Sequence, residues 1–280
     1  MKRQTTWSIE AGHAIFDLHF RELLAYRYLI CCMAIRDIKA VYKQTILGPV
    51  WLIIQPLLST GVYTIVFGSL ARIDTKGCPP ALFYLAGVIV WNYFSECLNR
   101  TSTVFRDNSV IFGKVYFPRL IVPISTVLAL LFRFTIQLLL FSLAIVVFGI
   151  RGEAFQGNCV MLLLPILMLL MALQAIGIGI AFAALTTKYK DLSFLLAFAV
   201  QLSMYATPVI YPLSAAPQKL QWLILMNPMT AIIETFRFGF LGSGSFSWTH
   251  LFQSAAISVT LLFIGLIAFT KAEKNFTDHI

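Results

Sequence analysis

Charge is scarce in this chain. Asp, Glu, Lys and Arg make up 12% of its 280 residues, where soluble domains carry about 25%. No polar stretch is long enough to build a large soluble domain. The phosphate-binding pattern G-x-x-x-x-G-K-[ST] is absent, and Gly113-Lys114 lacks both the partner glycine and the hydroxyl residue. The chain therefore has no ATPase site of its own. It contains no D-x-D and no H-E-x-x-H, and His13, His19, His250 and His279 are scattered. No nucleophile–base set can be assembled on one face, and the inner loops offer only the isolated acids Asp107 and Asp191. An integral-membrane enzyme acting on lipid-linked sugars lacks the acids it needs. The five cysteines show no metal-ligand spacing; a disulfide between Cys78 and Cys159 remains open. Residues 1–13 are mixed polar and carry no cleavable signal.

What remains is apolar, at 59% of positions. The apolar residues come in long runs rather than in alternation, which indicates an all-α integral membrane protein and not a barrel. Runs near the roughly 20 residues needed to cross a bilayer predict six spans: Pro49–Ser69, Ala81–Cys97, Leu120–Phe148, Val160–Thr186, Leu192–Tyr211 and Leu251–Thr270. Pro123 is a natural kink site in the long third run. The implied organisation is a cytoplasmic N-terminus with an amphipathic interface helix over 1–48, a transmembrane domain over 49–270 and a cytoplasmic tail over 271–280. With the N-terminus inside, fifteen Lys and Arg residues fall in inner segments and five in outer ones. That asymmetry places both termini in the cytoplasm. It also accounts for the net charge of +9 by attraction to anionic lipid, with no need for nucleic acid.

The segment before the first span has helical periodicity. Leu24, Tyr28, Cys31, Ile35, Ile38 and Tyr42 form one continuous face, while Arg36, Lys39 and Lys43 line another. Such a helix lies on a membrane with its basic stripe toward phosphates. The stripe serves either as an anchor or as the receiving site for a lipid-linked diphosphate. At Leu47-Gly48-Pro49 the helix breaks and the first span begins.

Three other regions stand out. The inner loop from Arg100 to Pro123 is basic yet apolar, and Val110, Ile111, Phe112, Val115, Tyr116 and Phe117 predict a short helix with an exposed apolar side, a usual docking surface. Between Ala206 and Trp248, the pieces Leu220–Met226 and Thr230–Phe240 are too short to span and are split by Asn227-Pro228. They predict two re-entrant half-helices, with Glu234 and Arg237 as an i, i+3 pair. Within the spans, Trp51, Gln55, Ser59, Tyr63 and Phe67 follow at i+4, as do Phe194, Phe198, Gln201 and Tyr205. Aromatic-polar faces suit sugar rings, and they equally suit helix packing and interfacial belts. Gly177/Ala181 and Gly179/Ala183 permit close helix approach. Arg133, within the third span, needs a partner; Glu96 is one, although its expected depth matches poorly.

RDIKAVYKQTILGPVWLIIQPL (Arg36 to Leu57), YFPRLIVP, the Lys188–Asp191 turn, and TPVIYP with NPMTAIIETFR together resemble the ABC-2 type transport permeases, and within them the polysaccharide exporters. The resemblance runs from about Arg21 to Thr270. It implies a homodimer working with two ABC nucleotide-binding subunits in the bacterial cytoplasmic (inner) membrane. ATP and Mg would sit on the partner ATPase, with no cofactor bound by this chain. The substrate implied is an undecaprenyl-linked glycan such as O antigen, capsule or teichoic acid; a small hydrophobic compound is the alternative within the same architecture. The substrate entrance would be Arg36, Lys39, Lys43, Leu47 and Gly48, and the two aromatic stripes would line the channel. ATPase coupling would fall to Arg106, Asp107, Lys114, Tyr116, Phe117, Arg119, Lys188, Lys190 and Asp191. Lys190 stands where relatives often carry Arg, which keeps the charge but loses a planar fork. Asn227, Pro228, Glu234 and Arg237 would form the outer gate.

Overall fold

The computed structural model describes residues 25–43, 48–75, 77–112, 117–152, 157–189 and 191–277; within them, the side chains at 41–43, 110, 187–188 and 272–277 are not described. No strand occurs among the described residues. Helix α1 is Arg27–Lys43. A 3-10 turn, Gly48–Val50, leads into α2, Trp51–Tyr63, which continues as the π-helical Thr64–Leu70. Gly48 has φ +48°, a conformation that glycine adopts at little cost, so the expected Gly-Pro break lies where the helix restarts. Helix α3, Pro80–Ser102, opens with proline in its first turn, where the missing N–H costs nothing. The chain then forms α4 (Ile121–Ile150), α5 (Leu164–Lys188, entered through the 3-10 turn Cys159–Leu163), α6 (Asp191–Ala206), α7 (Gln218–Met226), α8 (Pro228–Leu241) and α9 (Trp248–Thr277).

Among the described residues, five segments are long and apolar enough to cross a membrane: Gly48–Leu70, Pro80–Ser102, Ile121–Ile150, Cys159–Thr186 and Trp248–Lys271. The region expected as a fifth span is shorter than Leu192–Tyr211. Helix α6 has 16 residues and stops at Ala206, because Pro208 disfavours helical backbone before it and removes a donor. At 1.5 Å per residue it rises about 24 Å against a hydrocarbon core of about 30 Å. Pro123 also differs from expectation. It lies in the first turn of α4, where its nitrogen has no helical acceptor to lose, so no kink is required.

Helix α3 is the axis of the bundle. In its apolar window 78% of residues are buried, against 17–28% in the other four. Its aromatic residues Phe83, Tyr84, Trp91 and Phe94 pack with Phe134, Phe141 and Phe236 in the larger core. A second core closes one end of the bundle, where Met33 of α1 meets Phe105, Phe117, Ile121, Ile180 and Phe269. The other helices leave Leu139, Leu143, Ile150 and Phe252 exposed, as expected where lipid replaces a protein neighbour. Two glycines set the tightest contacts. A Cβ on Gly265 of α9 would lie 2.1 Å from the Gly177 carbonyl oxygen of α5, and a Cβ on Gly179 would meet the Thr101 side chain of α3. Cys78 and Cys159 are free thiols, the first buried and the second exposed.

Candidate functional site

At the α1 end of the bundle, three helices contribute to one polar cluster. Arg133 of α4 forms an ion pair with Glu96 of α3 through Nη1 and Oε2, and its Nη2 donates to Gln55 Oε1 of α2 at 2.8 Å. The other Glu96 oxygen, Oε1, lies 3.1 Å from Arg100 Nη2, one turn further along α3. A charge at a bilayer centre costs about 2.5–3.5 kcal/mol on insertion scales, so Arg133 requires such partners. The mismatch in depth is resolved by side-chain direction. Helical side chains lean toward their own N-terminus, and consecutive helices run in opposite directions, so Arg133 and Glu96 lean toward each other. Asp37 of α1 and Leu52 of α2 line the adjoining cleft with Glu96, Arg100 and Arg133.

Beside this cluster, the turn after α3 joins four helices. It consists of two single-turn helices, Val104–Asp107 and Ser109–Phe112. Arg36 Nη2 of α1 donates to Asn108 Oδ1 at 3.3 Å, while Arg36 Nε donates to Asp37 Oδ1 at 2.9 Å. Arg106 Nη1 donates to Ser193 Oγ in the first turn of α6 at 3.4 Å. Thr186 Oγ1 of α5 donates to the Ser102 carbonyl at 2.7 Å. Of the residues expected on an exposed apolar side, the described ones turn inward: Phe117 is buried and Ile111 and Phe112 are half-buried, all packed on the second core, whereas Arg106 and Asp107 face out; Val115, Tyr116 and the side chain of Val110 lie outside the described residues. The rings of Phe105, Phe112 and Phe117, packed on one another in that core, bury more apolar surface than a solvent-facing helix would. The exposed residues described in this turn, Arg106, Asp107 and Ser109, are polar.

The opposite end is pinned by Arg237 of α8, which is completely buried. Its guanidinium donates to the carbonyl oxygens of Phe83, Pro208 and Val209 and lies over the Phe83 ring. Glu234 Oε1 is 3.9 Å from Arg237 Nη1, and Glu234 Oε2 accepts from Ser245 N at 2.9 Å. Asn227 caps α8, accepting from Met229 N at 3.0 Å and donating to Thr207 Oγ1 at 2.9 Å; Pro228 follows at the first helical position. The half-helices expected here are α7 and α8, of 9 and 14 residues.

The family description "ABC-2 type transporter" matches residues 28–241, well over half of the chain. The chain belongs to that family. Relatives of similar length align nearly end to end. The O-antigen export system permease protein RfbA of Klebsiella pneumoniae is 25% identical over 265 residues, covering 94% of this chain and 99% of its own length. RfbA of Myxococcus xanthus is 27% identical over 262 residues, covering 93% and 98%. The polysialic acid transport protein KpsM of Escherichia coli is 23% identical over 241 residues, covering 86% and 92%. Like other ABC-2 chains it is a multi-pass membrane protein.

In this ABC-2 chain the residues singled out from sequence separate into several groups. Trp51, Gln55, Phe194, Phe198, Gln201 and Tyr205 are exposed on the single chain, and Ser59, Tyr63 and Phe67 are half-buried. The two stripes approach where Tyr63 Oη meets Met204 Sδ at 3.9 Å. Of the basic stripe, Lys39 is exposed and Arg36 is engaged as above; Leu47 and the side chain of Lys43 lie outside the described residues. So do Lys114, Tyr116, Lys190 and the side chain of Lys188, whereas Asp191 is exposed and Arg119 half-buried. Asp37, Asn108, Ser193, Phe83 and Ser245 were missed. Only Asp37 carried a signal, as an isolated acid in a basic helix.

Proposed function

We propose that this chain is the transmembrane permease subunit of an ATP-driven exporter that moves a lipid-linked polysaccharide across the bacterial cytoplasmic membrane. The observation that carries this reading is similarity along most of the chain to proteins named as O-antigen export system permeases and as a polysialic acid transport protein. The exposed aromatic-polar stripes on α2 and α6 support it, since sugar C–H faces stack on aromatic rings while their hydroxyls exchange weak polar partners. Two copies would face each other across these stripes, each with a nucleotide-binding subunit that holds ATP and Mg. In this reading α6 is the fifth of six crossings, shortened by the turn at Thr207-Pro208, and both termini are cytoplasmic. Residues 1–48, 49–270 and 271–280 form the interface segment, the transmembrane domain and the tail.

In the same reading Arg36, Lys39 and Lys43, with Leu47 and Gly48 at the break, receive the diphosphate of the carrier lipid. The polar face of the turn at Arg106 and Asp107, joined by Lys114, Lys188, Lys190 and Asp191, meets the ATPase. The chemistry on this subunit is binding and release only, driven by differential affinity between conformations. The test is purification with its partner ATPase, followed by addition of lipid-linked glycans. Stimulated ATP turnover, together with restored surface polysaccharide in a permease-deficient strain, is the expected result. Stimulation by small hydrophobic compounds instead would favour the drug-export alternative and reject this one.

A further inference from the structure

Helix α2 carries one of the two stripes, yet it is the least buried of the five membrane-length segments. Only Leu52, Pro56 and Thr60 are buried along it. Apolar packing of so narrow a face is non-directional, and lipid competes for it on equal terms. One bond differs in kind. Arg133 Nη2 donates to Gln55 Oε1 at 2.8 Å while its Nη1 holds Glu96. Glu96 is itself held by Arg100, so the chain of contacts runs from the axial helix α3 through α4 to the stripe on α2. A guanidinium presents donors in a rigid plane and can serve two acceptors at once in a fixed geometry. A charge-assisted bond is also stronger than a neutral one.

We propose that Arg133 is a positioning residue for transport, setting the rotation and depth of α2 by bridging Gln55 to Glu96, so that the stripe Trp51, Gln55, Ser59, Tyr63 and Phe67 faces the pathway. The word transport here rests on the export reading above; the bridge itself does not. Arg133 need not touch the substrate. Its action is through Gln55, one residue of the stripe.

Leu52 reports the position of α2, because it is buried in the cleft beside Glu96 and Arg133. The experiment uses the full chain with its ATPase in membranes, with the five native cysteines replaced and Leu52→Cys introduced. Maleimide labelling is then compared with and without Arg133→Gln. Labelling is expected to rise roughly tenfold when a bond of this strength no longer opposes opening, and polymer export to fall by a similar factor. Arg133→Lys, which keeps the charge but not the fork, should fall between. Unchanged labelling in Arg133→Gln overturns the proposal, and so does increased labelling with undiminished export. Should Arg133→Gln fail to accumulate, Gln55→Leu leaves the ion pair intact and must raise labelling by itself; no rise overturns the proposal. If the unmodified complex exports no polysaccharide while the labelling shift persists, the export reading fails and the bridge stands.

Discussion

The guanidinium of Arg237 lies 3.6 Å from the centre of the Phe83 ring and donates to the carbonyl oxygen of the same residue, from Nε at 3.3 Å and Nη2 at 3.2 Å. One side chain thus fastens α8 to the start of α3, and through Pro208 and Val209 to the turn after α6. A buried cation saturated in this way leaves orphaned acceptors when it is removed. Arg237→Met should destabilise the purified complex by about 3–5 kcal/mol, read as a thermal-unfolding shift in detergent. Arg237→Lys should recover little of this, because an ammonium cannot reach three carbonyls in the same plane.

Gly87 makes that pin possible. A Cβ there would lie 2.6 Å from both Arg237 Nη2 and the Val209 carbonyl oxygen. Gly87→Ala is expected to lower stability as overpacking does, by about 1–3 kcal/mol. Gly61→Ala is the control. It faces open space, and alanine is favoured over glycine within a helix by roughly 1 kcal/mol, so stability should be kept or raised.

Contact between α5 and α9 relies on the pair Gly177 and Gly265. With 2.1 Å from a Gly265 Cβ to the Gly177 carbonyl oxygen, Gly265→Ala must push the helices apart. This also strains the neighbouring bond from Gln174 Nε2 to Ser258 Oγ, at 2.8 Å. The expected outcome is poor accumulation and a lowered midpoint in a fluorescence-detected size-exclusion thermal scan. A wild-type profile would show that the approach is looser than described.

Asn227 should behave as a helix cap. Replacing it with Ala removes the acceptor for Met229 N and costs about 1 kcal/mol. Asn227→Asp keeps the acceptor and improves the charge at the helix N-terminus, but loses the donor to Thr207 Oγ1. Thermal midpoints in the order wild type, Asp, Ala are expected; equal midpoints for Asp and Ala would show that the Thr207 bond dominates.

The contact between Arg106 and Ser193 lies at the surface, so Ser193→Ala should change stability by less than about 0.5 kcal/mol. If the turn after α3 transmits force to α6, Ser193→Ala should nonetheless lower the polymer exported per ATP hydrolysed. Measuring both quantities in the same preparation separates transmission from folding.

Much of this architecture was legible from hydropathy and punctuation. The break at Gly48-Pro49, the positions of four of the membrane-length helices to within a few residues of both ends, and the paired short helices around Asn227-Pro228 follow from run length and from residues that stop helices. The central helix α3 was recognised but drawn short: Asn92, Glu96, Asn99 and Arg100 read as a polar boundary, although the helix continues to Ser102. The face of α1 was legible only in part. The periodic set Tyr28, Cys31 and Ile35 is exposed, while Met33 and Ala34 are buried. A helix with protein on one side and room for lipid on another has two apolar faces, and counting selects the wider one.

By itself the sequence determined that the chain is helical, where five of its apolar runs form membrane-length helices, and where the backbone must turn, but not that the sixth run, Leu192–Tyr211, is cut to the 16-residue helix α6. These are local properties, set by side-chain periodicity and by the conformational limits of glycine and proline. Only the tertiary structure decided that Arg133 reaches both Glu96 and Gln55, that Arg237 closes on three carbonyls, and that Phe105, Phe112 and Phe117 point inward. A buried polar atom is satisfied by whatever the packing brings within hydrogen-bond distance, and those partners lie dozens to more than a hundred residues away along the chain, where no periodic pattern connects them.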